Sequence, residues 1–185
     1  MKRPKHYYKK NKEYLFVDGY NILNHWTSLQ ELLHKDVEEA RETLMDILAE
    51  YAHYSGIAII LVFDGYLVKK SPGSEFYYKG IRVVYTKELE TADHYIEKEL
   101  SEIGRHRNVR VATSDNIEQQ MILAKGGKRL SARELEYEVQ QGKDGIRKKS
   151  RDLKNSGKKL TTLDENTLEQ LEALKQKLSR LREHS

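Results

Sequence analysis

Four aspartates lie where a predicted strand gives way to a predicted helix. Asp18 ends the stretch "EYLFVD" and Asp64 follows the stretch "IAIILVF", and the same Gly-Tyr pair comes after both. Asp115 follows "NVRVATS", whereas Asp93 lies in the opening turn of the helical pattern "ADHYIEKELSEIG". Because the strands of an open parallel sheet all point the same way, carboxylates at their ends are expected to meet at one edge.

Four carboxylates at one edge repel one another unless a cation neutralises them. Oxygen ligands with few histidines suit Mg²⁺ or Mn²⁺, so the pattern favours a divalent metal site. Asn21 could orient a water molecule or a phosphate oxygen, and Glu97 lies one helical turn after Asp93 and could join the acids. Each aspartate alone is more typical of a helix cap or a turn. It is the number of acidic junctions that favours a shared site.

The elements that position these residues alternate between strand and helix patterns. The segment "HKDVEEARETLMDILAEYAHYSG" has apolar residues at helical spacing and stops at Gly56, which is typical of a helix C-cap. "GIRVVYT" and "NVRVATSD" are shorter strands, and the intervening "SPGSEFYYKG" is predicted to be a loop. Thr91 can cap one helix, and Ser131 with Glu134 can form the capping box of another, "ARELEYEVQQG". This order predicts an α/β fold with a mostly parallel sheet and helices on both faces.

The charge of the chain is unevenly distributed. The 185 residues carry a net charge of +4, but residues 1–12 hold six Lys or Arg and no acid, and residues 143–159 hold eight against two acids. The remainder is therefore net acidic. The absence of cysteine excludes disulfides and Cys-ligated zinc. The longest apolar run, residues 57–63, is too short to cross a bilayer, and no signal-peptide pattern is present, so a cytoplasmic protein with no membrane partner is expected.

Four segments follow from this distribution. They are a basic N-terminal arm (1–12), a folded domain (13–142), a basic linker (143–160) and an amphipathic C-terminal helix (161–185). The last helix carries one apolar stripe of leucines, namely Leu168, Leu171, Leu174, Leu178 and Leu181. An isolated helix of this length is marginal in water, so the stripe must be covered. Docking on a partner or on a second subunit, as in a homodimer, is predicted over docking on its own domain.

Five motifs in one order resemble a known family. "VDGYNIL", "LVFDGY", "VVYTKELETADHYIE", "VRVATSDNIEQ" and "RLSARELEYEV" are similar to the YacP-like branch of the NYN-domain proteins, within the PIN-like nuclease superfamily, over about residues 13–141. The resemblance implies a three-layer α/β/α PIN-like fold, metal-dependent endoribonuclease activity and ribosome association. It implies an acidic cluster at Asp18, Asp64, Asp93 and Asp115, with Asn21 as the family's asparagine and Ser114 beside the last acid.

Phosphodiester hydrolysis fits these residues chemically. Mg²⁺ or Mn²⁺ held by Asp18, Asp93 and Asp115 would activate a water and neutralise the phosphate oxygens. Because an acidic edge repels RNA, cations elsewhere must hold the strand. The residues predicted to do so lie in the two basic segments: Lys9, Lys10, Arg147, Lys148 and Lys149. Tyr8 in the arm, and Tyr77 with Tyr78 in the predicted loop near the same edge, could stack on bases or simply pack.

The predicted function is therefore a metal-dependent endoribonuclease that acts on single-stranded RNA, such as mRNA, with the ribosome as a further partner. One alternative is a non-cleaving RNA- or ribosome-binding module of the same fold. Another is a small-molecule phosphohydrolase, although the glycine-rich phosphate motifs of nucleotide-binding folds are absent from the sequence. A metal-free histidine mechanism is less favoured because His25, His94 and Trp26 form no constellation by spacing.

Overall fold

Six strands form one sheet in the computed structural model, which describes residues 8–9, 11–65, 73–103, 108–114 and 126–161. The strands are β1 Tyr14–Asp18, β2 Ala58–Phe63, β3 Ser74–Tyr78, β4 Ile81–Tyr85, β5 Val109–Ala112 and β6 Lys128–Leu130. Their order across the sheet is β3-β4-β2-β1-β5-β6. All neighbours pair in parallel except β3, which is antiparallel to β4, so the predicted mostly parallel sheet is confirmed.

Five helices accompany the sheet in the described ranges. They are α1 Gly19–His25, α2 Thr27–Lys35, α3 Val37–Ser55, α4 Ala92–Ile103 and α5 Ala132–Thr161. The side chains of 146, 148–150 and 152–161 in α5 are not described. The chain divides into two units, Met1–Gly142 and Lys143–Ser185. In the described part of the chain, no helix is long and apolar enough to span a membrane.

The sheet separates two apolar cores because strand side chains alternate between its faces. On one face, Leu15 and Val17 pack with residues of α1, α2, α3 and the first turns of α5. On the other face, Tyr14 and Phe16 pack with α4. The α/β/α layering predicted from the sequence is therefore confirmed for the first unit.

Local signals for helix ends are borne out by hydrogen bonds. The Thr91 hydroxyl accepts from the backbone N–H of His94 at 3.2 Å and caps α4. The capping box at α5 is complete: the Ser131 hydroxyl accepts from the Glu134 N–H, and the Glu134 carboxylate accepts from the Ser131 N–H at 2.7 Å. Gly56 ends α3 in the left-handed region, with φ 73°.

The segment predicted as a loop is an edge strand. Residues Ser74–Tyr78 form β3, where Ser74 pairs with Tyr85 at the end of β4 and Tyr78 pairs with Ile81 at its start. Tyr77 and Tyr78 therefore lie near the amino-terminal ends of the parallel strands. The acidic edge is at the carboxyl-terminal ends, so the prediction that placed these two tyrosines near it is wrong. The pattern was missed because four of the five residues of β3 are exposed, so no apolar alternation marks it.

The predicted basic linker is helical over residues 143–160. Helix α5 starts at Ala132, as expected, but passes Gly142 without a break and continues to Thr161. A Cβ atom at Gly142 would lie only 3.1 Å from Cδ1 of Tyr54, so this glycine permits close packing on α3 rather than ending a helix. The predicted C-terminal helix, residues 161–185, lies outside the described residues except for Thr161.

Tyr8 belongs to the core and not to a free basic arm. Its ring is 7% exposed and makes a T-shaped contact with Tyr14 at 5.0 Å between centroids. Its hydroxyl donates to the Glu99 carboxylate and accepts from Nη2 of Arg82 at 3.1 Å. Burial raises the pKa of Tyr8 above its ordinary value. Of the two roles considered for this tyrosine, packing is the one confirmed.

Candidate active site at the carboxyl edge of the sheet

Three of the predicted aspartates come from separate strand–helix junctions. Asp18 is the last residue of β1, Asp64 directly follows β2, and Asp93 lies in the first turn of α4. Asp18 pairs with Val62 across the parallel ladder, so the ends of β1 and β2 lie side by side. All three side chains are half-buried.

The three carboxyls influence one another electrostatically. The pKa of Asp18 is raised to about 7, first because burial penalises its charged form, and further by the negative charges of Asp93 and Asp64. Hydrogen bonds from the backbone N–H groups of Asn21 and Tyr20 lower it in part. The N–H of Asn21 lies 3.1 Å from Oδ1 of Asp18, which therefore also caps α1. Asp18 is therefore both the N-cap of α1 and a member of the acidic cluster.

Asp64 connects the end of β2 to the start of α4. Its Oδ1 accepts a hydrogen bond from the backbone N–H of Ala92, the residue before Asp93. Burial raises the pKa of Asp64, and the bond from Ala92 lowers it in part. This bond holds the first turn of α4 against the junction, and thereby holds Asp93 near Asp18.

Asn21 ties α1 to the end of β5. Its side-chain oxygen accepts from the backbone N–H of Ser114 at 3.0 Å, and the Ser114 hydroxyl accepts from the N–H of Ala132 at 3.3 Å. Asn21 thus sets the position of the residue that precedes Asp115.

Replacing Asn21 with alanine is expected to destabilise the protein. The Ser114 N–H would lose its acceptor, which costs about 1–3 kcal/mol when a group is left unsatisfied. We expect a melting temperature several degrees lower and slower RNA cleavage, measured by thermal unfolding and a cleavage assay. Asn24→Ala is the matched control on the same helix, because Asn24 is exposed and its side chain donates to the Tyr20 carbonyl at 2.7 Å, so this change should leave the melting temperature and cleavage nearly unchanged. An unchanged melting temperature in Asn21→Ala would contradict this positioning role.

Both glycines of the Asp-Gly pairs are required by close packing. A Cβ atom at Gly19 would overlap the ring of Phe63, the residue that precedes Asp64. A Cβ atom at Gly65 would lie 2.8 Å from the carbonyl carbon of Thr86 and closer still to its oxygen. The Gly65 N–H also donates to the Thr86 hydroxyl at 2.8 Å. Asp18 and Asp64 are therefore each followed by a glycine, and the absence of a side chain there lets neighbouring strand–helix junctions pack closely.

Arg41 of α3 lies close to this edge of the sheet, and no role was predicted for it from the sequence. It is 8% exposed and donates from Nε to the hydroxyl of Tyr20 at 3.0 Å. Its guanidinium carbon lies 5.4 Å, 5.9 Å and 5.6 Å from the ring centroids of Tyr20, Phe63 and Tyr85, within cation–π range. A signal for it existed, because a basic residue interrupts the apolar stripe of α3 between Val37 and Leu44.

The remaining predicted site residues have mixed outcomes. Asp115 and Lys10 lie outside the described residues. Glu97 is half-buried one turn along α4 from Asp93. No group of three His, Asp or Glu side chains in the described ranges is placed to hold a metal ion, so the ligand set that includes Asp115 stays a prediction. Trp26 packs in the core, with 3% exposure, and its Nε1–H donates to the Ala132 carbonyl at 2.9 Å.

The predicted RNA-binding lysines and arginine lie in different settings. Lys9 is exposed next to the anchored Tyr8, and its backbone N–H donates to the Tyr14 hydroxyl at 2.7 Å. Arg147 is exposed on α5, and Lys148 and Lys149 occupy the next two positions of the same helix.

Comparison with known proteins identifies the family of this chain. The family model described as the YacP-like NYN domain matches residues 15–176. The chain belongs to the YacP-like NYN-domain family. YacP of Bacillus subtilis (strain 168) is 42% identical over 127 residues, which cover 68% of this chain and 74% of YacP.

Solved structures of the B. subtilis protein, Rae1 (YacP), have a similar fold. One superposes with a TM-score of 0.65 at 36% identity and covers 88% of this chain and 94% of that one. A tryptophan-to-leucine variant of the same protein gives a TM-score of 0.65 at 37% identity, covering 76% and 82%. Membership of the YacP-like NYN-domain family supports a nuclease-like, RNA-related function for this chain.

Proposed function

We propose that this protein is a metal-dependent endoribonuclease that hydrolyses phosphodiester bonds of single-stranded RNA, such as mRNA. The observation that supports it most is the convergence of Asp18, Asp64 and Asp93 from three separate junctions at one edge of the sheet. Half-buried carboxyls that repel one another are costly to the fold, and such sites are enriched in functional groups. The nuclease-like character of the family supports the same reaction class.

The donor set fits a divalent cation. All members are carboxylates, and burial together with two neighbouring negative charges raises the pKa of Asp18, a penalty that a bound cation would relieve. In the proposal, Asp18, Asp93 and Asp115 hold Mg²⁺ or Mn²⁺. When bound, the ion supplies an activated water and neutralises charge on the phosphate oxygens.

Other residues of the chain hold and orient the reacting groups. Asp64 keeps the first turn of α4 against the end of β2, so that Asp93 lies near enough to Asp18 to raise its pKa. Asn21, whose side-chain oxygen accepts from the Ser114 N–H, would donate from its amide nitrogen to a phosphate oxygen or to a water. Glu97 lies further along α4 and adds negative charge to that side of the site.

Incubation with RNA tests the proposal directly. A 5′-labelled single-stranded RNA is incubated with the purified protein in Mg²⁺, in Mn²⁺ and in EDTA, and the products are resolved by length. Internal cleavage that requires the metal is expected. RNA binding without cleavage under all three conditions would favour the non-cleaving module, and hydrolysis confined to mononucleotides would favour a small-molecule phosphohydrolase.

The proposal extends to a cytoplasmic setting in which the ribosome is a partner and the C-terminal helix forms a homodimer. Cosedimentation of the full chain with ribosomes tests the first association. Light scattering of the full chain, compared with a chain ending at Thr161, tests the second.

Metal-free stability should depend on pH through Asp18. The pKa of Asp18 is about 7 in the folded state and lower in the unfolded state, so the folded state binds the proton more tightly. This proton therefore stabilises the fold at low pH, and the stabilisation is lost as the pH rises from about 4 through about 7. In EDTA, Asp18→Asn should melt several degrees above the wild type at pH 8, and the two melting curves should converge toward pH 4.

The same two proteins should respond differently to metal. Titration with Mg²⁺ or Mn²⁺ is expected to raise the melting temperature of the wild type and to leave Asp18→Asn nearly unchanged, because ligand binding stabilises only the form that binds it. Equal shifts in both proteins would argue against a metal at Asp18, whatever the cleavage assay shows.

A further inference from the structure

Helix α5 arranges part of its basic residues in a line. At 3.6 residues per turn, positions separated by three or four residues lie on the same side of a helix. Arg147, Arg151, Lys154 and Lys158 are spaced i, i+4, i+7 and i+11, and we call these four positions the basic stripe. A flexible linker, which the sequence predicted for this segment, would not hold these four positions in line.

Three other basic positions of the helix lie on different sides. Lys148, Lys149 and Lys159 are displaced by about 100° or more from Arg147 at the helical rotation of roughly 100° per residue. Of the three α5 residues that the sequence analysis predicted to bind RNA, only Arg147 belongs to the basic stripe. The helix therefore divides one basic segment into cations on a single line and cations off it.

The basic stripe has a regular spacing along the helix axis. With a rise of about 1.5 Å per residue, successive positions are about 6, 4.5 and 6 Å apart, and the whole stripe spans about 16 Å. Such spacing is comparable with that of successive phosphate groups along one nucleic acid strand. The side chains of Arg147 and Arg151 are exposed. Lysine binds phosphate as a point charge and arginine can bind it through two hydrogen bonds.

We propose that the basic stripe follows the backbone of a single strand of RNA, with about one cation for each phosphate. The inference rests on the proposed function for the identity of the strand, but it does not require cleavage. It also explains how a protein whose active edge is acidic can hold a polyanion, because the cations that bind the phosphates belong to α5 and are not among the carboxylates. Contacts of this kind carry affinity and register rather than sequence preference.

Two matched triple variants test the arrangement. Arg151→Gln/Lys154→Gln/Lys158→Gln removes three charges from the basic stripe, and Lys148→Gln/Lys149→Gln/Lys159→Gln removes three from elsewhere on the same helix. Glutamine, lysine and arginine have similar helix propensities, so both variants should remain helical by circular dichroism. Binding of the full-length proteins to a fluorescent 20-nucleotide oligouridine is measured by anisotropy in EDTA, over a range of salt concentrations.

The stripe variant should bind at least about tenfold more weakly than wild type, and its log–log salt slope should be shallower by about 2, since each phosphate contact on a single strand contributes about 0.7. The off-stripe variant should lose less than about threefold, so this inference replaces the RNA-binding role predicted for Lys148 and Lys149 from the sequence. Equal losses in the two variants would mean that only total charge matters, and equal or tighter stripe-dependent binding to a duplex of the same length would mean that the strand is not single. Either result overturns the inference.

Failure here can be told apart from failure of the proposed function. If the stripe variant binds RNA like wild type while wild type cleaves RNA in Mg²⁺, the inference is wrong and the nuclease proposal stands. If wild type binds the oligouridine through the stripe but cleaves no RNA in either metal, the inference stands and the nuclease proposal fails.

Discussion

Asp18→Asn and Asp93→Asn should each reduce RNA cleavage by at least about 1,000-fold, which corresponds to a loss of about 4 kcal/mol of transition-state stabilisation. Each change removes one negative charge from the acidic edge with almost no change in side-chain volume. The fold should be retained, because asparagine is as good a helix cap as aspartate and can accept the N–H of Asn21 at the start of α1. Activity is measured with labelled single-stranded RNA in Mg²⁺ and Mn²⁺, and folding by circular dichroism.

Asp36→Asn is the matched control for this experiment. Asp36 caps α3 by accepting from the N–H groups of Glu38 and Glu39 at 2.9 Å and 3.0 Å, and it is exposed. It therefore shares the cap role of Asp18 but does not belong to the cluster of Asp18, Asp64 and Asp93. Full cleavage is expected in the Asp36 variant. If Asp18→Asn and Asp93→Asn also cleave at the wild-type rate, these acids act only as structural residues and the proposed site is wrong.

Gly65→Ala should destabilise the protein strongly and remove cleavage with it. The new methyl group would overlap the backbone carbonyl of Thr86, which cannot rotate away as a flexible side chain could. Overpacking costs about 1–3 kcal/mol and occasionally more, and a backbone clash belongs at the upper end. We expect the melting temperature to fall by about 10 °C or more. Any folded fraction should cleave poorly, because Asp64 must shift with its neighbour and release the N–H of Ala92.

Gly56→Ala separates this steric effect from the general cost of replacing a glycine. Gly56 has φ 73° at the end of α3, and no atom lies within 4 Å of the position that a Cβ would take. Its replacement should cost only the left-handed strain of about 1–2 kcal/mol and should leave cleavage intact. A Gly65 variant that melts within about 2 °C of wild type would show that the Asp64 junction tolerates movement, and the argument for tight convergence of the acids would then fail.

Much of the site could be predicted because it depends on local patterns. The buried run before Asp64 and the shorter strands β1, β4 and β5 are marked by mostly apolar residues, which determine where each strand ends. Capping residues such as Thr91 and Ser131 mark the starts of α4 and α5 through bonds to backbone groups only three residues away. Once the strands are parallel, the acids at their ends must lie at one edge.

Other features depend on contacts between residues far apart in the sequence. β3 is mostly exposed and becomes a strand only by pairing with β4, so Tyr77 and Tyr78 could not be placed from their own pattern. From its residue type alone, Arg41 would be assigned to the surface. In the fold, three aromatic rings from other elements lie within cation–π range of its guanidinium. The bond from Ser114 to Asn21 joins positions 93 residues apart, and no spacing rule predicts it.

The sequence by itself determined which residues are acidic, where the main strands end and, through five ordered motifs, the family. Tertiary structure alone decided which of those residues touch, that Gly65 fits against Thr86, and that Gly142 lies in a continuous helix against Tyr54. The physical reason is that glycine is locally a poor helix former, and only the space left by a neighbouring side chain makes it the residue that fits. Local propensity is read along the chain, whereas steric fit and electrostatic coupling exist only between elements already brought together.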